Sequence, residues 1–125
     1  ALSLHRQRGD RNGEAATLTN IGVVYSDTGQ PQKALEVYDQ ALSIHKQTGN
    51  RRFEANTLAN IGTIHATTGR LRPALEFHER ALPIYRLTGD KNGEAATLTS
   101  IGILNLGLGR PQTALEFLTS APILF

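Results

Sequence analysis

Apolar and small residues recur along the chain at helical spacing. Ala15, Leu18, Ile21, Gly22 and Tyr25 stand at i, i+3, i+6, i+7 and i+10, one stripe of a 3.6-residue helix. A second stripe is formed by Ala34, Leu35, Tyr38, Ala41, Leu42 and His45. Punctuation residues bound both stripes. Asp10 suits an N-cap, and Asn50 and Asp90 suit the same place further on. Gly29, Gly69 and Gly109 stand where a helix ends on a left-handed residue, and Gly9, Gly49 and Gly89 close the second stripe. Pro31 and Pro111 fit a first helical turn, where a missing N–H costs nothing. The pattern predicts helix A over about 11–28 and helix B over about 31–48, with no strand.

The pattern returns every forty residues. Segments 1–40, 41–80 and 81–120 align without a gap, and thirteen of forty columns are identical in all three. The first nine residues are expected to be the tail of an earlier helix B, and "APILF" at 121–125 opens a fourth unit. We therefore expect 1–125 to be one array and a fragment of a longer one. Small residues mark the helix contacts: Gly22 and Ala34 let helices A and B approach, and Ala41 does so toward the next helix A. One hairpin cannot bury its apolar stripe alone, whereas stacked hairpins can. The expected fold is all-α, a solenoid of antiparallel helix hairpins. Pro83 falls inside the second full helix B, so a bend or break is expected near Leu82. Gly107 and Gly109 are expected to weaken the end of the last helix A.

The series Leu18, Ile21-Gly22, Tyr25, Ala34, Tyr38 and Ala41 resembles the tetratricopeptide repeat signature. Leu58, Ile61, Gly62, His65, Ala74, His78 and Ala81 repeat it, as do Leu98, Ile101, Gly102, Asn105, Ala114, Leu118 and Ala121. The forty-residue period is similar to the long-repeat branch that includes kinesin light chain, the Pins/LGN adaptors and bacterial multi-repeat proteins. The resemblance implies a right-handed superhelix with helices A lining a concave face. It also implies a non-catalytic scaffold that holds an extended peptide or helix there. Mapped onto this chain, the implied groove holds Thr19, Asn20, Val23 and Asp27, then Asn56, Asn60, Thr63 and Thr67, then Thr99, Ser100 and Ile103. Asn20 and Asn60 carry both donors and an acceptor, which suits a clamp on peptide amides. The alternative is a structural array that self-assembles or spaces neighbouring domains. The third unit favours it: Ile103, Leu104, Leu106 and Leu108, then Ile123, Leu124 and Phe125, make end-to-end self-association plausible.

Composition narrows the chemistry. Thirteen basic against eleven acidic residues give a net charge of +2, so bulk attraction to nucleic acid is not expected. No apolar run is long enough for a membrane span, and no targeting segment is seen, which points to the cytoplasm. With no Cys, thiolate sites and disulfides are excluded. Basic residues concentrate in the second unit, where six face three acidic ones; Arg51 and Arg52 are a candidate basic patch. Arg11, Arg51 and Lys91 recur at the start of helix A, where the helix dipole disfavours cations unless Glu14 and its mates relieve them. His65 and His78 occupy aromatic columns of one hairpin and could touch, but no third ligand is evident, so they read as polar packing. Arg8-Gly9-Asp10 spells an adhesion tripeptide, yet Gly9 and Asp10 read as a helix stop and a cap. No nucleophile–base constellation or phosphate loop is present, so neither an enzyme nor a cofactor is expected.

Overall fold

A computed structural model describes residues 10–120. The expected helix tail over 1–9, His5 and the stub 121–125 lie outside the described residues. Between them run α1 (Arg11–Asp27), α2 (Pro31–Thr48), α3 (Arg51–Thr67), α4 (Leu71–Thr88), α5 (Lys91–Gly107) and α6 (Pro111–Ser120), with no strand among the described residues.

The boundaries follow from the residues read as punctuation. The Asp10 carboxylate accepts from the Gly13 N–H at 2.8 Å, and Asp90 accepts from the Gly93 N–H at 2.9 Å. Pro31 and Pro111 are the first residues of their helices. Gly49 and Gly89 close α2 and α4 with φ of 70° and 73°, a region costly for any residue with a Cβ. Gly107 is the last residue of α5, but Asp27 and Thr67 end α1 and α3 at the same column, so the glycine does not shorten the helix.

The chain divides after Thr57 into two compact units. In the first, α1 packs on α2 around Ala15, Leu18, Ala41 and Ile44, with Val37 at the margin. Gly22 makes this approach possible: a Cβ there would come within 2.5 Å of the Tyr38 ring. In the second unit, α4 packs on α5 and α5 on α6. Its core holds Ala74, Leu75, Leu82, Leu98, Ile101 and Leu104. The same glycine column recurs, with Gly62 against His78 and Gly102 against Leu118. The glycine thus makes room for the side chain sixteen residues later, be it Tyr, His or Leu.

Two expectations need correction. No break occurs at Pro83: α4 runs uninterrupted from Leu71 to Thr88. Proline removes the hydrogen bond to the carbonyl four residues back. Here that carbonyl belongs to Glu79, and both residues are exposed, so water can solvate the freed group. Ile21, read as part of the buried stripe, is exposed, whereas its mates Ile61 and Ile101 are buried.

Candidate functional site

The start of each helix A answers the question posed by its cation. Arg11 pairs with Glu14, Arg51 with Glu54 at 3.3 Å, and Lys91 with Glu94 at 3.5 Å. Each acid sits in the first turn, where the helix dipole welcomes it, and holds the misplaced cation three residues away. Arg86 adds a hydrogen bond from Nε to Glu94 at 3.0 Å. That bond, helped by Lys91 and opposed by burial, holds the Glu94 carboxyl below its usual range. Arg51 of the candidate basic patch is therefore engaged with its own helix, while Arg52 is exposed.

The predicted groove column is largely open to solvent. On α1, Asn20, Val23 and Asp27 are exposed and Thr19 is half-buried. On α3, Thr63 and Thr67 are exposed while Asn56 and Asn60 are half-buried. On α5, Thr99 and Ile103 are exposed and Ser100 is half-buried. The threonines have little to donate. Thr19, Thr63 and Thr99 each give their hydroxyl proton to the carbonyl four residues back, at 2.9, 3.0 and 2.9 Å. Thr67 donates to the Ile64 carbonyl at 3.1 Å. Their oxygens can still accept, so donation from this face rests on Ser100 and the asparagines Asn20 and Asn60.

Within the second unit the column closes around a cavity of about 160 Å³, lined by Thr63, Ala66, His78, Ser100, Ile103 and Leu104. Thr63, Ser100 and Ile103 were predicted for the groove. His78 and Leu104 were not: both belong to the buried stripes, and they border the cavity from α4 and α5. The His78 Nδ1 is buried without a hydrogen-bond partner, and burial lowers the pKa of the ring. The cavity thus combines an apolar wall, two hydroxyl oxygens and a neutral imidazole.

His65 stacks on Phe77 at 5.5 Å, and His78 packs against Gly62. Among the described residues, no group of three or more His, Asp or Glu could hold a metal ion, and no helix is long and apolar enough to cross a membrane. The Asp10 carboxylate of the adhesion-like tripeptide is taken up by its helix cap.

Solved structures with the same fold include the TPR domain of Arabidopsis FLU, at 19% identity over 89% of this chain and 93% of that one, with a TM-score of 0.82. BtubC (BKLC) from P. vanneervenii is 20% identical over 96% of this chain and 50% of that one, with a TM-score of 0.86. The N-terminal domain of stress-induced protein-1 (STI-1) from C. elegans is 16% identical over 86% of this chain and 80% of that one, with a TM-score of 0.76. At such identities the likeness is one of fold. None of the curated proteins matches the sequence. The tetratricopeptide repeat model, however, matches residues 1–47, 13–87 and 54–121. With helix hairpins at a forty-residue period and that match across almost its whole length, the chain belongs to the tetratricopeptide repeat family.

Proposed function

We propose that this chain is a non-catalytic scaffold that holds an extended peptide on the face formed in its second unit by α3 and α5. Tetratricopeptide domains in general are protein-interaction scaffolds and bind protein partners. The observation that carries the finer reading is the cavity bounded by Thr63, Ser100 and Ile103. It is open and lined by Thr63, Ala66, His78, Ser100, Ile103 and Leu104, and Asn60 stands three residues before Thr63 on α3. An apolar side chain of the peptide enters it, while the Asn60 amide pairs with the peptide backbone. The half-buried α1 residue Thr19 and the exposed Asn20, Val23 and Asp27 offer similar chemistry in the first unit.

A random peptide library panned on the immobilised chain supplies the probe. Ile103→Glu places a charge at the cavity mouth and is expected to weaken the selected peptides at least about tenfold. Asn60→Ala is expected to weaken them several-fold, with thermal unfolding unchanged in both variants. Peptides that bind both variants as tightly as the parent would refute the reading.

A further inference from the structure

The cavity between α3 and α5 constrains the side chain that enters it, first by size. Its volume of about 160 Å³ matches one six-membered ring: an enclosed apolar cavity of about 150 Å³ holds a single benzene. The two fused rings of an indole are larger than this. Ala66, Ile103 and Leu104 supply an apolar wall for such a ring.

The polar groups then separate a phenol from a phenyl. The Thr63 hydroxyl gives its proton to the Ala59 carbonyl at 3.0 Å, so its oxygen offers acceptance alone. Ser100 borders the cavity from α5 with a hydroxyl that can donate or accept. A phenyl ring seated here covers both oxygens and offers them nothing. A phenol has the matching valence, one proton to donate and lone pairs to accept with. Charge completes the selection. No lining side chain is Lys, Arg, Asp or Glu, and burial keeps the His78 imidazole neutral at pH 7. A charged tip would lose its water and meet no counter-ion.

We propose that the side chain inserted into this cavity is an unphosphorylated tyrosine of the bound peptide. This rests on the peptide-binding reading above and adds the identity of the anchor. Phosphorylation adds a charge of about −1.5 to −2 at pH 7, so a kinase acting on that tyrosine closes the site to it.

Blocked peptide pools that differ at one fixed central position test this against the 125-residue chain. The fixed residue is tyrosine, phenylalanine, leucine, tryptophan or phosphotyrosine, and the flanking positions are random but free of aromatic residues. The tyrosine pool is expected to bind about three- to tenfold more tightly than the phenylalanine pool, and the phosphotyrosine pool more weakly than either. Thr63→Val keeps the shape and removes the accepting oxygen, and Ser100→Ala removes the other hydroxyl. The double variant is expected to erase the preference for tyrosine over phenylalanine while phenylalanine binding holds. Thr63 is exposed and Ser100 half-buried, and circular dichroism verifies the fold. Ile103→Glu separates this proposal from the reading beneath it. If the phenylalanine, leucine or tryptophan pool matches tyrosine and Ile103→Glu weakens it, the tyrosine anchor is overturned while the peptide site stands. If no pool responds to Ile103→Glu, both fall. Phosphotyrosine that binds as tightly as tyrosine, or a tyrosine preference that survives the double variant, would also overturn the anchor.

Discussion

Two equivalent contacts, forty residues apart, solve one packing problem in opposite ways. In the first unit His45, near the end of α2, stacks face to face on Phe53 of α3, with centroids 5.6 Å apart and planes at 17°. In the second unit Tyr85, near the end of α4, lies on Gly93 of α5, so close that a Cβ would enter its ring. The first contact uses two rings of moderate size; the second uses one larger ring on bare backbone. The space at this level is set by the helices, and the two residues divide it. Their ionisation differs too. Burial lowers the His45 pKa, although Glu54 opposes it, whereas burial and Asp90 push Tyr85 up to about 12.

The strongest challenge to this complementarity is to mix the two solutions. Gly93→Phe brings in the first unit's residue without its partner, and Tyr85 leaves it no room. A loss of about 3 kcal/mol or more is expected in urea unfolding. Adding Tyr85→His should recover part of that loss, with a coupling of about 1–3 kcal/mol. Strict additivity of the two changes would show that the residues do not share the space.

The next effect is one of pH. Tyr85 ionises near pH 10 in the unfolded chain but near 12 in the folded one, so folding keeps the phenol neutral. Its contribution is complete below pH 10 and is lost as pH rises toward 12, on the order of 2 kcal/mol in all. Tyr85→Phe should flatten the alkaline limb of the stability profile. His45 acts at the other end: with its folded pKa lowered, stability is present above the unfolded value of 6.5 and falls as the medium becomes more acid than that. His78 has the same sign, so the acid limb should shrink but persist in His45→Phe.

Smaller changes sharpen the comparison. Gly93→Ala gains helix propensity but sets a Cβ against Tyr85, for a net loss of about 1–2 kcal/mol by urea unfolding. Alanine at an exposed helical position should instead stabilise. Phe53→Ala removes the ring stacked on His45. Phe53 is itself half in solvent, so the cost should be about 1 kcal/mol, read in the same way.

The repeat, the helix bounds and the glycine column were legible because each depends on local spacing. A cap, a left-handed glycine and an apolar stripe are properties of a few neighbouring residues. The pairing of position 93 with 85, or of 53 with 45, was not legible, because it depends on how two helices meet across a connection. Pro83 misled for a similar reason. A missing N–H says nothing about whether water reaches that stretch of the helix, and here Glu79 and Pro83 are both exposed. The groove column came from the family resemblance alone, and three of its residues, Thr63, Ser100 and Ile103, line one cavity. His78 was assigned to packing because it sits on the apolar stripe. That it also borders the cavity depends on how α3, α4 and α5 meet, which the spacing along one helix does not reveal.

Amide and methyl chemical-shift mapping with a library-selected peptide tests the functional account most directly. The account predicts perturbations centred on Thr63, Ala66, Ser100, Ile103 and Leu104, with the outer residues Arg72, Glu79 and Glu116 unmoved. Perturbations gathered on those outer residues, with the cavity silent, would contradict it.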